Sequence, residues 1–309
     1  MHWLLTWMML FSTAGDPVPP GPSVDLSVNG SSLPAHRLSL VVMPGDSVML
    51  STGDDVTGWS ATAGSPTTGS GSTFNWRAPR DHGVFHIDVS SSMGAEKYTV
   101  IVPVETCRWR TTTLNSFPIG SYGDGNGNET TPPYFIELTS STMGARITTH
   151  LTLGDFLCHV EGRFPQYMAL DLRLADKMEA LLYAVREVYP QAAVIHNISG
   201  FRTPAYNAAI GNDTSESLHL FGKAADIWIE SWPPNGLMDD LDRNKRVDVY
   251  DGEYLVELTR TLEAQGRVVT GGASAYRWIN THGPFVHIDI RGSRAVWPTC
   301  RTLVDDPVI

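Results

Sequence analysis

Two stretches late in the chain alternate apolar and polar side chains with the period of a β-strand. After Ala224, Ala225, Ile227 and Ile229 fall on one face and Asp226, Trp228 and Glu230 on the other. In Phe285–Ile290, Val286, Ile288 and Ile290 share one side, while His287 and Asp289 share the opposite side. If the two strands are neighbours in one sheet, their apolar faces build core. Their polar faces then bring Asp226 and His287 together, with His219 just upstream across a glycine, Gly222. Two imidazoles and a carboxylate with an open fourth position form the ligand set of a catalytic zinc, so His219, Asp226 and His287 are the candidate metal ligands.

The rest of the pattern divides the chain. Residues 24–104 carry only strand and turn signals. Leu38–Val42 and Val48–Leu50 flank a Pro-Gly-Asp turn, Gly83–Val89 alternates, and Tyr98–Val102 closes the set. Trp59 and Trp76 are the expected core anchors of a small all-β, immunoglobulin-like sandwich. Its histidines, His82 and His86, lack a second ligand pattern and read as ordinary side chains. Residues 105–133 read as a linker, with Gly120–Asn128 as its loosest part.

Residues 134–309 are expected to form an α+β domain. Thr152 is placed to cap a short helix carrying Leu153, Phe156, Leu157 and Val160. A longer helix is predicted over Leu170–Val188, with Leu174, Met178, Leu181, Leu182 and Val185 as its core stripe. Val194–Ile198 then predicts a strand, with His196 packed within it. Beyond it, Gly200 and Pro204 fix a turn that holds Arg202 at the strand's end.

Composition narrows the classes of function. The chain has 309 residues, enough for two domains, 18% charged residues and a net charge of −11, which gives no nucleic-acid footprint. Met1–Gly15 is apolar from Trp3 to Phe11 apart from Thr6, then rich in small residues, and reads as a secretory signal. The Pro-rich stretch 16–23 reads as a tether. No other segment is a transmembrane candidate. Cys107, Cys158 and Cys300 form no CxxC pair, which disfavours a thiolate metal site and leaves any disulfide pairing open. G-x-S-x-G, HExxH and P-loop motifs are absent. Nothing in the pattern fixes an oligomeric state.

Three elements occur in order: Ser199-Gly-Phe-Arg-Thr-Pro-Ala-Tyr-Asn207, Ser217-x-His219-x-x-Gly222-x-Ala224-x-Asp226, and Gly283-Pro-Phe-Val-His287-Ile-Asp289. Together they resemble the zinc D-alanyl-D-alanine metallopeptidases, which cut peptidoglycan stem peptides and share their fold with the hedgehog signalling domain. The likeness spans roughly Thr152 to Trp297. It implies a hedgehog/D-Ala-D-Ala peptidase-like zinc domain, with Zn²⁺ on His219, Asp226 and His287. Arg202 matches the arginine that holds a substrate carboxylate or developing charge. His282 matches a histidine near the metal and is the expected proton-transfer group. Phe285 and Pro284 depart from the family, standing where different branches carry a histidine and a glutamate. From position alone, Ser217 and Asp289 are candidates to orient the ligand imidazoles. The resemblance implies an exported D,D-carboxypeptidase or endopeptidase of the periplasm or cell envelope. The competing reading is a zinc-containing cell-wall binding protein without turnover.

One further stretch has metal character. Asp240, Asp242, Asn244, Asp248 and Asp251 place oxygens at positions 1, 3, 5, 9 and 12 of a loop whose position 7 is Arg246. This resembles the calcium loops of EF-hands and dockerins, with position 7 ligating through its carbonyl and a helix following over Glu253–Ala264. Lys245 replaces the usual turn glycine. The competing account is a solvated acidic loop whose aspartates pair with Arg243, Lys245 and Arg246.

Overall fold

A computed structural model describes residues 24–53, 55–92, 94–105, 112–122, 131–160, 164–212, 214–277, 282–295 and 297. The expected signal, tether, Cys107 and Cys300 lie outside them. The architecture is mixed, with many short strands and few helices.

Residues 24–102 form two sheets over one core. One sheet has four strands in the order Ser31–Ser32, Ser27–Val28, Ser47–Ser51, Thr73–Arg77. The other has five, in the order Ser39–Val41, Gly94–Val102, Gly83–Ser91, Val56–Ala61, Thr68–Gly69. Trp59 and Trp76 are buried in this core. Each indole N–H finds a carbonyl, Gly71 O at 2.7 Å and Ala63 O at 3.0 Å, so the large rings are buried without an orphaned donor.

This unit is fastened to the C-terminal part of the chain. The backbone of residues 147–149 bonds to the segment before Ser39, with Leu38 N–H on Ile147 O at 2.9 Å and Thr149 N–H on His36 O at 3.0 Å. Arg37 reaches Asp176 with both Nε and Nη2. Residues 112–122, within the stretch expected to be a linker, are structured. Residues 113–114 and 117–118 pair as a hairpin, and Leu114, Phe117 and Ile119 are buried in the second core. The sequence signal there is dominated by glycine and asparagine downstream, and residues 123–130 lie outside the described set.

The second core is built as the helical stripe predicts. Helix α1 (Leu172–Val188) buries Leu174, Met178, Leu181, Leu182 and Val185 completely. At about 1.5–3 kcal/mol for each fully buried aliphatic side chain, this stripe is a main anchor of the fold. The helix expected after Thr152 is only a 3-10 turn, Leu153–Phe156. Asp155 accepts from the Thr152 N–H and hydroxyl, closing the turn, and Leu157 is already extended. Short helix α2 (Pro204–Ala209) starts from a Thr203 cap and Pro204. Helix α3 (Val249–Ala264) begins earlier than expected, because Asp248 and Asp251 form a capping box at its N-terminus.

The site rests on a four-stranded antiparallel sheet, ordered Ala192–Ser199, Ala224–Ser231, Phe285–Asp289, Ala273–Tyr276. Asp226 pairs with His287 in register, Ser199 with Asp226, and Ser274 with His287. The apolar face, with Ala225, Ile227, Ile229, Val286 and Ile288, belongs to the core shared with α1 and α3. The opposite face carries the chemistry.

Candidate metal centre

His219 sits on a 3-10 turn, Leu218–Phe221, that leads into the Ala224–Ser231 strand. Gly222 ends the turn with φ +63°, and a Cβ there would lie 2.2 Å from the Ala169 carbonyl oxygen. Only glycine fits both demands, which explains its place between His219 and Asp226. The His219 Nδ1–H donates to the Gly200 carbonyl at 2.7 Å, and Nε2 therefore carries the free lone pair.

That nitrogen lies 3.3 Å from His287 Nδ1 and 3.4 Å from Asp226 Oδ1, and His287 Nδ1 is 2.9 Å from the same oxygen. Ligands at zinc distance around a tetrahedral ion are about 3.3 Å apart. The three atoms thus form one face of such a tetrahedron, and the donor set fits zinc. His219 and Asp226 are buried and His287 nearly so. The sheet register and the 3-10 turn together bring all three expected ligands into one place.

Asp226 is held in its ligand form. Burial pushes its carboxyl up, but His219 and His287 outweigh this and keep it well below the usual carboxylate range. Arg202 adds a cation, with Nη2 on Asp226 Oδ2 at 2.6 Å and Nε on Ser199 Oγ at 2.7 Å. The sequence predicts Arg202 as a substrate clamp; the structure shows it chiefly orienting Asp226. It still lines the cleft, and Nη1 makes no hydrogen bond among the described residues.

Asp289 is fully buried and lies 3.6 Å from His287 Nε2. Its carboxylate also accepts from Gly272 N at 2.7 Å and from the Arg291 guanidinium. Burial opposes the charge, yet His287 and Arg291 hold the carboxyl well below its ordinary range. Below the sheet, buried Lys177 fixes the same residue, donating to Asp289 O at 2.8 Å and to Glu263 Oε1 at 2.5 Å.

Two expectations are not met. Ser217 lines the cleft but makes no side-chain hydrogen bond among the described residues, because the Gly200 carbonyl already holds His219. His282 does not line the cleft. Its Nδ1 is 3.0 Å from Gly283 O and its ring packs edge-on against Phe285, so Phe285 occupies the place beside the ligands.

The ligands floor an open cleft of about 390 Å³. Its lining includes the aromatic side chains of Tyr276, Phe285 and Trp297 and the polar residues Asn212, Thr214 and Glu216. Tyr276 stacks on Phe285 at 4.7 Å, and Trp297 Nε1–H donates to the Tyr276 hydroxyl at 2.8 Å. Sequence reasoning missed this lining, apart from Phe285 as a departure from the family pattern. Its signal is the cross-strand pairing of Tyr276 with Phe285, which periodicity in one strand does not reveal.

The acidic loop is also assembled. Carboxylate oxygens of Asp240, Asp242 and Asp251 come within 4.8 Å of one another. Lys245 adopts φ +69°, the left-handed geometry that a turn glycine usually supplies. Asn244 and Lys245 donate backbone N–H bonds to Asp240, and Leu241 and Asp242 donate theirs to Asp251. Among the described residues none of Arg243, Lys245 and Arg246 forms a salt bridge with these carboxylates. Arg243 instead lies over the Tyr189 ring at 4.8 Å.

No curated protein and no solved structure matches the chain. Residues 149–255 match the family Peptidase M15. The match covers about a third of the sequence, includes Arg202, His219 and Asp226, and ends before His287. The segment that supplies two of the three ligands is thus similar to Peptidase M15, a family of zinc-dependent peptidases, which supports metallopeptidase chemistry at this centre.

Proposed function

We propose that the chain is an exported zinc peptidase that hydrolyses peptide bonds in peptidoglycan stem peptides or their crosslinks. The observation that carries this reading is the set His219 Nε2, Asp226 Oδ1 and His287 Nδ1, spaced as one face of a zinc tetrahedron at the floor of an open cleft. When bound there, zinc supplies a Lewis acid for the scissile carbonyl and lowers the pKa of a water toward neutrality. The chain's own residues do the rest. Gly200 and Asp289 hold the imidazoles in orientation. Arg202 steadies Asp226 and offers Nη1 to a substrate carboxylate or oxyanion. The aromatic side chains of Tyr276, Phe285 and Trp297 seat apolar groups flanking the bond and keep water from them. The peptidoglycan substrate rests on the three-element resemblance, and export on the apolar run Trp3–Phe11. The immunoglobulin-like unit at 24–104 serves as a docking or spacing module and carries none of the ligands.

Replacing His219 with alanine is expected to abolish zinc content and hydrolysis together. Full hydrolysis by a zinc-free His219→Ala protein contradicts the site.

A structural calcium ion in loop 240–251 forms a second part of the reading. It is supported by the convergence of Asp240, Asp242 and Asp251, by left-handed Lys245, and by the lack of basic partners for these carboxylates among the described residues. Calcium added to chelator-treated protein is expected to raise the melting temperature of the wild type but not of Asp240→Ala. No shift in either protein contradicts the calcium assignment.

A further inference from the structure

Hydrolysis of an amide needs a group that takes a proton from the attacking water and returns it to the leaving nitrogen. The described residues leave few choices. Asp226 is committed at both oxygens, Oδ2 to Arg202 and Oδ1 toward the two imidazoles. Asp289 is fully buried, bonded to Gly272 and Arg291, and does not line the cleft. His282 lies behind Phe285. Tyr276 lines the cleft, but its hydroxyl is engaged by the Trp297 Nε1–H at 2.8 Å.

Glu216 remains. It is the one carboxylate besides Asp226 on the cleft lining among the described residues. Its side chain is exposed and has no hydrogen bond or ion pair among the described residues. Its backbone is nevertheless fixed. The Glu216 N–H donates to Thr214 Oγ1 at 3.3 Å, and the next residue, Ser217, receives the Leu220 N–H at 2.9 Å as the turn bearing His219 begins. The carboxylate is therefore tethered on the cleft lining, three residues before a metal ligand.

We propose that Glu216 is the proton-transfer residue of this cleft, an assignment that rests on the peptidase reading. As the water oxygen bonds to the scissile carbonyl carbon, its proton passes to the Glu216 carboxylate. As the carbon–nitrogen bond breaks, the proton passes from Glu216 to the departing amine. One amide and one water give one carboxylic acid and one amine, with Glu216 returned to its starting form. The position also accounts for Phe285 and Pro284: a base on the strap before His219 removes the need for one beside His287.

The test uses the full zinc-loaded chain with Glu216→Gln, Glu216→Asp and His282→Ala, assayed on muropeptides. Glu216→Gln is expected to keep the wild-type zinc stoichiometry, melting temperature and calorimetric affinity for an uncleaved muropeptide, while kcat falls by roughly 10²–10⁴-fold with KM unchanged. Glu216→Asp is expected to restore part of the loss, and His282→Ala to retain wild-type kcat. Three results overturn the assignment: wild-type kcat in Glu216→Gln, loss of zinc from that variant, or loss of turnover in His282→Ala alone. An inactive wild-type protein overturns the peptidase reading and this assignment with it.

Discussion

At the scale of single residues the centre works by opposing burial with paired charge. Burial alone drives a carboxyl toward its neutral form and an imidazole away from its cationic one. At Asp226 the two histidines reverse that tendency, and at His287 the carboxylates of Asp226 and Asp289 outweigh the burial that lowers its pKa. Asp289 extends this balance outward, since it touches His287 on one side and Arg291 on the other. Asp289→Asn keeps the shape and removes the charge. It is expected to weaken zinc binding by about 10–100-fold in a chelator competition, and unchanged affinity contradicts the orienting role. His219, Asp226 and His287 were legible in the sequence because strand alternation and a glycine at fixed spacing report directly on which face a side chain takes. Tyr276, Arg291 and Trp297 were not, since they reach the cleft from an edge strand and from loops whose positions depend on tertiary packing.

At the scale of elements, helices α1 and α3 support the sheet of the candidate centre through a buried ion pair. Lys177 gives its ammonium protons to Glu263, Val269 O and Asp289 O, and Glu263 also accepts the Gly271 N–H. Losing one partner strands the other charge. Lys177→Met is expected to destabilise the fold by about 3–5 kcal/mol in urea unfolding, with most of that recovered in Lys177→Met/Glu263→Gln. A near-neutral single variant contradicts the coupling. The start of α3 was hard to place from sequence because Asp248 and Asp251 suit a metal loop and a capping box equally well, and the structure uses them as the box. That use has a pH signature. Burial first, and Asp242 after it, push the Asp251 carboxyl up to about 6 against three backbone N–H bonds. Below about pH 4 the group is protonated in both folded and unfolded chains and costs nothing. As pH rises toward 6 the unfolded chain releases its proton first, so metal-free stability falls, by roughly 3 kcal/mol at most. Thermal melts in chelator should show this fall in wild type and a flatter profile in Asp251→Asn. Parallel profiles contradict it.

At the scale of the whole molecule, the β-sheet unit and the part that carries the candidate metal ligands meet along a continuous seam. Backbone bonds join residues 36–38 to 147–149, Arg37 pairs with Asp176 of α1, and His82 bonds to Glu137 at 3.1 Å. Ile101 of the N-terminal sheet packs into the second core. The switch between strand-only and helix-containing patterns is visible in the sequence, whereas the seam is not, because long-range backbone pairing leaves no local periodicity. The central claim is that the cleft cuts peptidoglycan peptides, and the direct measurement is mass spectrometry of muropeptides released from purified sacculi by the zinc-loaded protein. The account predicts free D-alanine or the loss of crosslinked dimers, absent with His219→Ala. Sacculi left chemically unchanged by a protein that carries its full zinc contradict it.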